Sequence, residues 1–167
     1  MTAMMSHLQC MFLYVDHGRE DARNARLFSH LSTVASTTNC PLHRMSLQWI
    51  DNAALSTLID ELKRSVLGSE RTALLICGSH LEDQITVCSL EALLEGFDVH
   101  LLCDIISARD VKLKPILLLR LFQAGAVPSS LRQFLYMWLA AETDQHMKET
   151  LRRLLEDYDS KFGKRPA

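Results

Sequence analysis

Short apolar runs that each stop at a polar or glycine turn, with helically spaced stretches between them, constrain this chain more than any other feature. "CMFLYVD" (10–16), the weaker "CPLHRMSLQW" (40–49), "TALLICG" (72–78), "FDVHLLCD" (97–104) and the brief "AVPSS" (126–130) have the length and β-branched or aromatic content of buried strands. Between them, residues 20–37 place Ala25, Phe28, Leu31 and Ala35 at helical spacing. Asp51 or Asn52 is an N-cap for an amphipathic helix carrying Leu55, Leu58, Ile59, Leu62 and Val66, stopped by Gly68. Further helices are expected over about 84–95 (ended by Gly96), over 111–124 (Pro115 in its first turns, Gly125 as its stop), and over 131–140 and 143–158. Such alternation with short connections requires right-handed crossovers. The expected fold is α/β: three α/β/α layers around a mostly parallel sheet of Rossmann-like topology. Ligands in such folds bind beyond the carboxyl ends of the strands. That directs attention to Asp16, His17, Ser46, residues 78–84 and residues 104–107.

The chain has 167 residues, enough for one domain with a sizeable core; residues 1–158 are read as that domain and 159–167 as a disordered tail. A net charge of -2 with scattered basic residues gives no electrostatic reason to expect nucleic acid or an anionic membrane as partner. No apolar run reaches spanning length, and Met1–Gln9 lacks a basic segment followed by an apolar one, so no signal peptide is expected. Five cysteines, an odd number without scaffold spacing, read as reduced thiols of a cytoplasmic protein.

The stretch 72–138 resembles the second half of the isochorismatase-like cysteine hydrolases, and most of all the eukaryotic isochorismatase domain-containing proteins. The matching marks are the strand ending at Gly78, the leucine-rich helix closed by Gly96, "VHLLCD", Ser107-Ala108-Arg109 after that aspartate, and "AGAV". "MFLYVD" resembles the family's first strand. The resemblance spans most of residues 10–158, with the 40–70 region shortened. It implies a catalytic cysteine at a helix N-terminus, an aspartate base after the first strand, a positioning lysine, and a cis peptide with oxyanion-binding amides in the turn before the cysteine. Asp16 matches the aspartate. Counting six residues from Gly78 puts Gln84 where the cysteine stands, and an amide cannot form a covalent intermediate. No lysine matches the third position; Lys63 falls within an amphipathic helix. The resemblance places His80 and Leu81 in the turn, with His80–Leu81 as the bond to be cis.

Cys88 is the alternative nucleophile. It lies a turn into the helix, where amides are already bonded, and it reads as a core residue packed with Ile85 and Ala92. Glu82 and Asp83 read as N-terminal cap and dipole partners. His17 and Asp104 are candidate binding residues, though a solvated loop histidine is the better account of the first and a turn-capping aspartate is the plain account of the second. The C-x-x-H pairs Cys40/His43 and Cys77/His80 could be arranged as a zinc site, but the spacing is weak and no metal is expected. No cofactor is expected either: there is no Walker loop and no G-x-G-x-x-G, and G-x-S-x-G is also missing.

Helix 115–124 is apolar nearly all round, through Ile116, Leu117, Leu118, Leu119, Leu121 and Phe122, and asks for burial on every side. Leu131, Phe134, Leu135 and Trp138 form a second apolar stripe. Family members are commonly oligomers, so a homo-oligomer is expected. The functional expectation is a catalytically inactive isochorismatase-like domain acting as a binding or oligomerisation module, with a small molecule as the possible ligand. The competing expectation is a hydrolase of the same class working through Asp16 and a non-standard nucleophile.

Overall fold

The computed structural model describes residues 6–16, 22–46, 51–68 and 72–163. Strands β1 (Cys10–Asp16), β2 (Leu42–Ser46), β3 (Ala73–Gly78), β4 (Asp98–Ile106) and β5 (Val127–Ser129) form one sheet in the order β2-β1-β3-β4-β5, and all its pairings are parallel. Helices α1 (Ala22–Thr37), α2 (Asn52–Val66), α3 (Thr86–Leu94), α4 (Lys114–Gln123), α5 (Leu131–Ala141) and α6 (Gln145–Phe162) fill the outer layers. Only the β1-to-β2 step runs leftward in this order. Right-handed crossovers therefore put α1 on one face and α2, α3 and α4 on the other. Contacts of α6 with α1 and α5 add the two C-terminal helices to the α1 face.

The central strands β1 and β3 are buried along their whole length, which is why they read as unbroken apolar runs rather than alternating ones. Phe12 meets Trp138 edge-on and Tyr14 meets Phe28, so the even-numbered side chains of β1 face α1 and α5. Asp51 caps α2 by accepting the Ala54 amide at 2.7 Å.

Three differences from the sequence expectation matter. The helix expected from 84 begins earlier, as a π-helical turn Leu81–Ile85 that runs into α3. The wider turn upsets the regular ladder, and hydroxyls take up part of it: Thr86 donates to the Leu81 carbonyl and Ser89 to that of Ile85. Second, β4 continues to Ile106, because it carries a bulge. Ile76 pairs with Leu101 but Gly78 pairs with Ile106, and Lys114 Nζ donates to the carbonyls of Cys103 (2.9 Å) and Ile106 (2.5 Å) across it. Third, α6 extends to Phe162, past the expected limit at 158, because its amphipathic face keeps packing on α1.

The all-round apolar helix is also not buried all round. Leu121 is in the core, while Ile116, Leu119 and Phe122 remain 56%, 54% and 55% exposed. Val87, Leu90 and Leu94 of the adjoining α3 are exposed beside them. No described helix is long and apolar enough to cross a membrane.

Candidate functional site

The carboxyl edge of the sheet is shaped by one close approach. Gly78 has φ +127°, and a Cβ there would lie 1.8 Å from the Val15 carbonyl oxygen. Only glycine lets β3 end against β1 in this way. The next residue, Ser79, donates its amide to that same carbonyl at 2.9 Å, which sets Ser79 beside Asp16.

Asp16 is buried, and both of its carboxylate oxygens are held from β2. Ser46 Oγ donates to Oδ1 at 2.6 Å and Arg44 Nε to Oδ2 at 2.8 Å. Arg44 in turn lies over the Phe28 ring of α1, 4.6 Å from its centroid. Asp16 is thus one half of a charge pair on the α1 face of the sheet.

The turn after Gly78 is clamped to the loop that follows β4. Ser107 donates its amide to the Gly78 carbonyl and accepts the Leu81 amide. Glu82 accepts the Asp110 amide at 2.9 Å, and Arg109 pairs with Asp83 and reaches His80 Nδ1 at 3.3 Å. Glu82 and Asp83 therefore tie down the neighbouring loop; they lie in the first turn as expected of dipole partners, while no side-chain cap forms at the N-cap position, His80. Burial alone would raise the Glu82 carboxyl, but the backbone N–H of Asp110 leads the contacts that hold it below the usual range. His80 takes a left-handed backbone at φ 65°, and no cis peptide occurs among the described residues. The expected cis bond at His80–Leu81 is absent: the chain reverses through the strained His80 instead.

The expected site residues separate into groups. Gln84 is buried at the fourth position of the π-helical turn rather than at an open helix mouth. Leu81 cannot supply an oxyanion donor, because its amide is given to Ser107 and its side chain is in the core. Cys88 is sealed. It packs 3.5 Å from the Met45 sulfur, and burial pushes its thiol up to about 12. Met45 pairs with Val15, whose side chain points away from that of Asp16, so Cys88 and Asp16 lie on opposite faces of the sheet. The structure therefore does not bring the Cys88 thiol to Asp16.

Asp104 also leaves the site. The β4 bulge swings it toward α5, where it accepts the Leu131 amide on both oxygens (3.0 Å each) and the Tyr158 hydroxyl. It caps a later helix rather than the next turn. Lys63 pairs with Glu95 just past the end of α3, at the amino edge of the sheet, so it cannot take the lysine's place. His17 lies outside the described residues. Among the described residues no three His, Cys, Asp or Glu side chains gather as a metal site. Cys77 points into the core, and burial raises its thiol, with the Asp104 charge adding.

One residue, Arg44, escaped the sequence reading. It could have been found from its charge at a strand position of the same parity as Ser46, two residues on. Ser79 falls within the strand-end stretch 78–84; that its hydroxyl is buried and meets no hydrogen-bond partner among the described residues only the packing reveals.

No family model matches the sequence, and no curated protein matches it. Solved structures do match. The MAR1 ribonuclease from Caenorhabditis elegans superposes with TM-score 0.72 at 13% identity, over 98% of this chain and 97% of that one. The YcaC gene product of Escherichia coli, an octameric hydrolase of unknown specificity, gives 0.59 at 16% identity over 93% and 96%. Pyrazinamidase of Pyrococcus horikoshii in complex with zinc gives 0.55 at 12%, over 74% and 99%. This is the isochorismatase-like hydrolase fold. Within the isochorismatase-like fold, the described part of the carboxyl edge keeps a buried aspartate and a tight glycine turn, and brings no thiol to them.

Proposed function

We propose that this chain is a self-associating, small-molecule-binding domain in which the isochorismatase-like fold no longer carries out covalent cysteine catalysis. One observation carries the reading: the thiol next along from Gln84, that of Cys88, is sealed against Met45 on the face opposite Asp16. The other described cysteines lend support. Cys10, Cys40 and Cys77 are buried, and burial raises the half-buried Cys103 as well. A thiolate nucleophile needs partial exposure and a lowered pKa. Asp16, paired with Arg44 and Ser46, is better suited to holding a ligand than to abstracting a proton. Self-association is supported by the exposed apolar side chains of α3 and α4, and by the octameric state of the YcaC neighbour.

The test is a turnover panel of small amides, esters and vinyl ethers, with a single-stranded RNA added because one neighbour is a ribonuclease. Wild type and Cys88→Ser should be indistinguishable from each other and from buffer. Turnover that Cys88→Ser abolishes would overturn the reading. Light scattering should give an assembly larger than one chain, which Phe122→Asp splits.

A second reading, hydrolysis through Asp16 and a hydroxyl, is favoured by Ser79, whose Oγ meets no partner among the described residues and whose amide is bonded to the carbonyl just before Asp16. Turnover in the same panel that survives Cys88→Ser but fails in Ser79→Ala would establish it.

A further inference from the structure

Helices α1 and α6 enclose a cleft of about 770 Å³, within the usual size of small-molecule pockets. Arg26, Ser29 and His30 line it from α1, and Asp157, Lys161 and Phe162 from α6. It is a different place from the Asp16 edge. Helix α1 runs back from that edge, and His30 sits in its second half.

The charges in the cleft do not cancel. Asp157 Oδ2 receives Lys161 Nζ at 2.8 Å and His30 Nδ1 at 3.1 Å, which neutralises the carboxylate. Arg26 donates Nε only to the Ala22 carbonyl of its own helix and meets no carboxylate among the described residues. One guanidinium is left over, and its planar fork suits a carboxylate. A ligand with two negative charges would face Asp157 as well.

The wall is aromatic. The His30 and Phe162 rings lie 5.4 Å apart and nearly perpendicular, and Tyr158 lies 5.3 Å from Phe162. His30 is 5% exposed, and its Nε2 has no partner among the described residues. Burial, opposed by the Asp157 charge, lowers its pKa, so the ring is neutral near pH 7. With Nδ1–H given to Asp157, the Nε2 lone pair is an acceptor that the protein itself leaves unmet.

We propose that this cleft binds a small aromatic monoanion, its carboxylate on the Arg26 guanidinium and its ring against Phe162 and His30. The experiment is an amide-resolved NMR titration of the full chain with phenylacetate, set beside neutral 2-phenylethanol and ring-free acetate. Phenylacetate should give saturable shifts confined to α1 and α6, with a midpoint at least about tenfold below either control. Arg26→Gln removes an exposed side chain bonded only within its helix, so the fold stays intact, and it should raise the midpoint about tenfold or more. Lys161→Met, which frees Asp157 to oppose the anion, should weaken binding too. Equal midpoints for phenylacetate and 2-phenylethanol, an unchanged midpoint in Arg26→Gln, shifts centred on residues 78–84, or no saturation at all would each overturn the proposal.

Discussion

The sealed thiol of Cys88 makes a quantitative prediction about alkylation. Raising it from the ordinary 9.0 to about 12 leaves roughly a thousandth as much thiolate at neutral pH. A more basic sulfur is intrinsically the better nucleophile; a Brønsted exponent of roughly 0.4–0.5 returns roughly 15–30-fold. The net effect of ionisation is labelling roughly 30–60-fold slower than for a free thiol. Exclusion of the reagent then adds to this, because Cys88 is 1% exposed and reacts only when α3 opens from the sheet. The assay is pulsed iodoacetamide labelling at pH 7.5, read by peptide mass spectrometry, with the guanidinium-unfolded chain as reference. Half-buried Cys103 should label first in the folded protein, and Cys88 should lag its unfolded rate by at least about two orders of magnitude. The Cys88 rate should also keep climbing with pH beyond 9. A folded-state rate within a few-fold of the unfolded one, or a plateau below pH 9, would refute both the burial argument and the reading of the site built on it.

Other perturbations test the fold and the edge. Gly78→Ala drives a Cβ into the Val15 carbonyl and should cost about 3 kcal/mol or more, seen as a large fall in urea midpoint or as insoluble protein. Asp104→Ala removes the acceptor of the Leu131 amide at the start of α5, where Ser130 still holds the Gln133 amide, and leaves the Tyr158 hydroxyl buried without a partner; we expect a loss of about 2–4 kcal/mol, with Tyr158→Phe costing about 1. Burial lowers the folded-state pKa of both His30 and His43, so the unfolded chain takes up protons first as the pH falls. Their contribution is present above about 6.5 and is lost as the pH drops through the folded values, so the urea midpoint should fall between pH 7.5 and 5.5. His43→Gln should flatten that slope.

The strand–helix alternation was legible because its signals are local. β1 and β3 needed only apolar runs, α2 needed a cap at Asp51 and a stop at Gly68, and α4 needed Pro115 and Gly125. The early start of the helical turn at Leu81 was not legible. Nothing in "HLEDQ" announces a π-helical turn whose carbonyls are met by hydroxyls from Thr86 and Ser89. Residues 159–162, expected in a disordered tail, are helical for a similar reason: Phe162 is held by an edge-on ring contact with His30, a residue more than a hundred positions away.

The linear order of residues by itself determined the parallel sheet, the carboxyl edge as the place to look, and the burial of Cys88. Which side chains share that edge was decided only when the strands were laid together. A register offset of one residue separates Asp16 from Cys88 by the thickness of the sheet. A bulge in β4 carries Asp104 away to α5, and a charge on β2 claims the aspartate. Periodicity records which way a chain faces within its own element, whereas a site is made of elements whose relative placement depends on packing across the whole core.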